Sequence, residues 1–136
     1  MIAAPSRVAA LALLVAGCSD GVGPPPVQCA PDQKVEVAVS SDPIPVFSWT
    51  PACGLSSLRV WDQHLTSGWT LYTGPRSFEN RLRSGVRYGR VPPEGIEPGP
   101  ATPLISGRPY TVTVFRWNGD STGGFHDEVG SATFER

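Results

Sequence analysis

Three cysteines and two histidines carry most of the chemistry open to this chain: Cys18, Cys29, Cys53, His64 and His126. Each histidine has an acid close by, Asp62 for the first and Asp127 with Glu128 for the second. Such a neighbour can orient an imidazole as a general base or complete a metal shell. Neither histidine stands in a working spacing, however. There is no His-Glu-x-x-His pair and no glycine-rich phosphate loop leading into a helix. A histidine on a polar loop is ordinarily solvated surface. The chain is therefore read as non-enzymatic, without cofactor or metal, and a small hydrolase is kept only as a remote alternative.

The cysteines divide into one and two. Cys18 follows Val15-Ala16-Gly17 at the end of nine apolar residues, Val8 to Ala16, which Arg7 precedes. A charged start, a short apolar run and small residues before a cleavage point are the layout of a secretory signal peptide. The run is less than half of what a spanning helix needs, about 20 apolar residues. The last four residues resemble the lipobox of bacterial lipoproteins. That resemblance implies that residues 1–17 are removed and that Cys18 is acylated. It further implies a membrane anchor in the cell envelope, with Ser19 in place of aspartate favouring the outer membrane. Cys29 and Cys53 are then left in an oxidising compartment, where disulfides persist. Paired, they close a loop of about 25 residues, worth about 3 kcal/mol in the chain-entropy account. The alternative, a metal pair, lacks the further close-spaced ligands that zinc requires.

The whole chain of 136 residues has 11 basic and 12 acidic side chains. Without Arg7 the mature balance is formally minus two. Such a balance gives no basic stripe for nucleic acid. Nor does a Lys/Arg cluster follow Cys18 in the sequence, where acidic head groups would meet it. Residues 18–31 include Gly21 to Val27 with three successive prolines. They are expected to be a stiff tether holding the domain up to about 30 Å from the bilayer.

Residues 32–136 must position whatever binds. Fifteen glycines and fifteen prolines punctuate the chain, and the runs between them alternate in the strand manner. Val35, Val37 and Val39 share one face, as do Phe47 with Trp49, and Leu58 with Val60. Thr70 to Thr73 is a fourth run, with weaker ones near Phe78 to Leu82 and Val86 to Val91. Tyr110 to Trp117 is the strongest, and Glu128 to Glu135 closes the chain. About seven short strands argue for an all-β fold, an antiparallel β-sandwich.

Phe47-Ser48-Trp49-Thr50-Pro51 resembles the second strand of fibronectin type III domains, in which a tryptophan fills the core. Leu104 to Val114, with a leucine six residues before Tyr110 and alternating valines after it, is similar to that family's sixth strand. An immunoglobulin-like sandwich of another subtype is the alternative. The resemblance implies structural roles for Trp49, Leu104 and Tyr110. The Tyr110 hydroxyl would bond backbone a few residues upstream, as a tyrosine corner does. It also implies that the strands holding Trp61 and Phe115 are neighbours. Period two then turns Trp61, Phe115 and Trp117 outward, flanked by Arg59 and Arg116, with Trp69 a candidate cover. Flat aromatic faces suit sugar rings or an extended peptide, so the expected partner is an unknown protein or polysaccharide. Cross-strand aromatic pairs also stabilise sheets with no ligand at all. A structural envelope component acting as a spacer is therefore the competing function. Asn118 to Gly124, with Asn-Gly and Gly-Gly, is expected to be a flexible hairpin turn.

Overall fold

A computed structural model describes residues 23–64, 67–74 and 79–136. The expected leader and Cys18 lie outside those residues, as does Phe78 at the start of one expected strand. Alternating apolar residues, broken by glycine and proline, produce eight strands. They are β1 (Glu36–Val39), β2 (Val46–Thr50), β3 (Ser57–Asp62), β4 (Ser67–Thr73), β5 (Val86–Arg87), β6 (Gly95–Ile96), β7 (Pro109–Gly119) and β8 (Gly124–Glu135). One sheet has the order β1-β2-β5 and the other β6-β4-β3-β7-β8, every pairing antiparallel. No helix occurs among the described residues. The chain is an all-β antiparallel sandwich.

The inward positions are those that period two assigns. Phe47 and Trp49 of β2 face Leu58 and Val60 of β3, Trp69 and Leu71 of β4, and Tyr110, Val112 and Val114 of β7, all buried. Each buried Val, Leu or Phe contributes about 1.5–3 kcal/mol by leaving water. Where a core ring carries a polar atom, a partner is supplied. The Trp49 indole donates to the Cys53 carbonyl (2.8 Å), and the Trp69 indole donates to the Glu97 carboxylate (2.7 Å). Trp69 is thus a core residue, edge-on to Tyr88, and does not cover the outer face.

The Tyr110 hydroxyl accepts a hydrogen bond from the Ile105 N–H at 2.8 Å, pinning the segment that leads into β7. Leu104 packs against the same core. The Cys29–Cys53 disulfide is formed, with Cα atoms 4.8 Å apart.

The sequence expectation and the structure part in the middle of the chain. Near Leu82 there is only an isolated bridge to Leu55, and the expected run from Val86 shrinks to two residues. Conversely, β6 lies inside the proline-rich stretch before Tyr110. The prolines there supply no N–H, so strand pairing survives for only two residues between them.

The tether is also shorter than its composition suggests. Residues 23–30 lie against the domain. The Cys29 N–H donates to the Gly54 carbonyl (3.0 Å), and the Gly54 N–H donates to the Val27 carbonyl (2.7 Å). Arg83 donates to the carbonyls of Gly23 and Pro24. Gly54 has no room for a side chain, because a Cβ there would lie 2.2 Å from the Asn80 carbonyl oxygen and 3.0 Å from the Pro26 ring.

Candidate functional site

The outward face of the five-stranded sheet gathers four of the five residues singled out for binding, Arg59, Trp61, Phe115 and Trp117. Register decides who meets whom. Trp61 pairs with Thr111, Arg59 with Thr113 and Ser57 with Phe115. Trp61 and Phe115 are therefore four residues apart along the strand direction, about 13 Å at 3.4 Å per residue. They do not touch. Arg59 fills the interval, its guanidinium carbon 5.5 Å from the Trp61 ring centre and 5.7 Å from that of Phe115. Both rings are half-buried and Arg59 is exposed. The site is a cation held between two aromatic faces rather than a continuous aromatic floor. Each such contact is worth about 0.5–1 kcal/mol at an exposed position.

Trp117 continues the row beyond Phe115 on the same face but is only 7 % exposed. Its ring lies 4.9 Å from that of His126, which stands opposite it in the ladder. A Cβ on Gly124 would come within 2.7 Å of the Trp117 ring, so the glycine makes room for it. Trp117 belongs to the hairpin's packing and is not open to a ligand. Asn80 fixes its backbone, accepting from the Trp117 N–H (2.8 Å) and donating to its carbonyl (3.0 Å).

Arg116 is on the other side. Adjacent residues of a strand point to opposite faces. Arg116 donates to the Cys29 carbonyl (2.6 Å), to the Trp117 carbonyl and to the Asn118 side chain. It ties the disulfide-bearing segment to β7 and does not flank the aromatic row, which corrects the expectation.

His126 was missed as a neighbour of this face, and its position depends on a bulge. Val114 pairs with Gly130 but Phe115 pairs with Glu128, leaving Val129 as an extra residue in β8. Val129 turns inward, 2 % exposed, and its carbonyl accepts from the Val35 N–H. The extra residue reverses the alternation, bringing His126 and Glu128 to the outer face. A signal existed, since counting back from the hairpin pairs Gly119 with Gly124 and so Trp117 with His126. Burial first and the Arg59 charge second hold the His126 pKa below its ordinary value. At neutral pH its ring is uncharged.

The Ser56 hydroxyl lies 3.2 Å from His126 Nδ1, and it also donates to the Phe115 carbonyl (3.0 Å). Ser56 is fully buried, whereas His126 is exposed. His64 lies beyond the Tyr110 end of β3 and His126 opposite Trp117 in β7; Tyr110 and Trp117 are themselves about 24 Å apart by strand rise. Among the described residues no cleft joins the two histidines. Residues Gly119 to Gly123 have the Gly-x-Ser-x-Gly spacing of a nucleophile elbow. Here it is a hairpin turn between β7 and β8, not a strand-to-helix corner. The Asp120 carboxylate accepts from the N–H groups of Thr122 and Gly123 and from the Thr122 hydroxyl, which holds its pKa below the usual value. The turn expected to be flexible is thereby tied. Among the described residues no group of three or more His, Cys, Asp or Glu is placed to hold a metal.

No protein-family model matches the chain, and comparison with curated proteins and with solved structures yields no match.

Proposed function

We propose that the mature chain is a lipid-anchored, non-enzymatic binding module of the cell envelope, with Cys18 acylated in the outer membrane. In this reading Arg59, held between Trp61 and Phe115, contacts a surface polymer or protein. The observation that carries the binding reading is that exposed guanidinium. It stands between two rings, and among the described residues no acceptor takes its N–H groups. A planar fork of donors suits a carboxylate, and flanking rings suit the apolar faces of sugars or of an extended peptide. The lipobox-like Val15 to Cys18 supports the anchor, and the Cys29–Cys53 disulfide accords with an oxidising compartment.

The test is affinity electrophoresis through gels containing polysaccharide purified from the host's own envelope. The mature protein should be retarded, and the Arg59→Ala/Trp61→Ala variant should run free while keeping its fold. Arg59 is exposed and Trp61 half-buried on the outer face of the sheet, outside the core between the sheets, so the double variant tests the ligand contact. Equal mobility of the two proteins would reject polysaccharide binding on this face. A second reading, a structural spacer, is favoured by the docking of residues 23–30, which shortens the tether and holds the domain close to its anchor.

A further inference from the structure

The sequence places no basic cluster after Cys18, yet the fold supplies one. Arg83, on the segment leading into β5, donates to the carbonyls of Gly23 and Pro24. Only four residues separate Gly23 from Cys18. Five chain steps reach at most about 18 Å at full extension. Arg83, Arg87 and Arg90 line one open groove of about 620 Å³, together with Pro92 and Pro93. Arg87 and Arg90 are exposed. The groove also holds Glu94, whose carboxylate accepts from the Arg83 N–H at 3.3 Å, so its formal charge is plus two. This is a local excess of positive charge on a chain that is otherwise slightly acidic.

From this juxtaposition we infer that the Arg83–Arg87–Arg90 groove docks onto anionic phospholipid head groups of the membrane that holds the chain's own anchor. The inference rests on the proposal that Cys18 is acylated. Guanidinium groups bind phosphate oxygens through paired N–H donors. The short reach to Cys18 keeps the groove near the head groups, so the lipid chain supplies the local concentration and the arginines supply the orientation. The attraction is short-ranged, falling off over about 8 Å at physiological salt. A freely extended tether of the full composition-based length would carry the arginines out of that range. The docked residues 23–30 instead tether them within about 18 Å of Cys18, close enough for the groove to reach the head groups. Each arginine brought to an anionic surface strengthens association by about five-fold.

The experiment places the protein purified from its host's membrane, as processed there, in vesicles of phosphatidylcholine alone, or with phosphatidylglycerol added. Arginines are then modified with a dicarbonyl reagent and quantified by peptide mass. Arg59, on the outer face of the opposite sheet, is the internal reference. Arg87 and Arg90 should react about ten-fold more slowly relative to Arg59 in the anionic vesicles, and high salt should restore the rate. The variant R87Q/R90Q, altered only at exposed positions, should float with the vesicles yet lose any composition-dependent protection of Arg83. An Arg87 and Arg90 rate that is the same in both vesicle types overturns the inference while leaving the anchor intact. Protein that fails to float with either vesicle type overturns the anchor itself, so the two failures are distinct.

Discussion

Asn80 offers the most direct test of how the site's strand is held. It is 3 % exposed, and its side chain replaces a missing strand partner for Trp117. Its amide oxygen accepts from the Trp117 N–H, and its amide nitrogen donates both to the Trp117 carbonyl and to Gln28 Oε1 (3.0 Å). Asn80→Ala removes these hydrogen bonds and takes the side-chain acceptor from the Trp117 N–H, a loss costing about 1–3 kcal/mol, while the Trp117 carbonyl keeps its Arg116 donor. The expected loss is therefore about 1–3 kcal/mol, a sizeable part of the stability of a domain this size. Asn80→Asp separates the donor from the acceptor. The new carboxylate still accepts from the Trp117 N–H, but it faces the Trp117 carbonyl and Gln28 Oε1 with no proton to give. Burial and these two acceptors favour the protonated form, which can donate, and so raise the pKa of the introduced carboxyl in the folded state. With the folded pKa above the unfolded one, the variant is most stable at acid pH and loses stability as pH rises through that interval. Urea denaturation of the three proteins at pH 4 and pH 8 reads both effects. An alanine variant within about 1 kcal/mol of the parent, or an aspartate variant equal to the parent at pH 8, would refute the assignment.

Replacing both Cys29 and Cys53 with serine should cost about 3 kcal/mol in urea denaturation, the loop-closure value for their separation of 24 residues; a cost under about 1 kcal/mol would mean that the docked segment already restrains the unfolded chain. Tyr88 gives an alkaline signature. Burial first, and Tyr110 second, push its pKa from 10.0 up to about 12. An unfolded tyrosine ionises near 10 while the folded one keeps its proton to about 12, so stability is complete below pH 10 and falls between the two values. The loss approaches about 2–3 kcal/mol. Tyr88→Phe, which also gives up donation to the Gly68 carbonyl (3.0 Å), should be less stable at neutral pH and should lack this alkaline loss when denaturation is compared at pH 9 and 11.5.

Period two was enough to read most of the sandwich. Phe47 and Trp49, Leu58 and Val60, and Tyr110, Val112 and Val114 all face inward as their alternation requires. The same rule, applied one step further, places Arg116 opposite Phe115 and Trp117 and puts Trp69 inside with Leu71; it was the grouping by sequence proximity that misplaced them. Cysteine counting sufficed for Cys29 and Cys53, because a third cysteine had a separate expected fate. The remaining features depend on contacts distant in sequence. The Val129 bulge reverses the face of His126 because the Val129 carbonyl meets the Val35 N–H, a pairing that local composition does not encode. The contact of Arg83 with Gly23 joins residues 60 apart, and no local pattern forecasts it. Aromatic residues also misled by type: three on one face read as a floor, whereas the register separates two of them by an arginine and buries the third.

The two surfaces are compatible because they belong to different layers. Arg59, Trp61 and Phe115 lie on the outer face of the five-stranded sheet, the face turned away from β1, β2 and β5. Arg83, Arg87 and Arg90 bracket β5 in the three-stranded sheet. A domain resting its β5 groove on the head groups therefore leaves the Arg59 face off the membrane and open to a partner. This coupling makes a joint prediction. In anionic vesicles the groove arginines slow while Arg59 keeps its rate, and adding the envelope polysaccharide then slows Arg59 without changing Arg87 or Arg90. If the polysaccharide instead protected the groove arginines in phosphatidylcholine vesicles, the groove would be the polymer site. The division of labour between the two sheets would then be wrong.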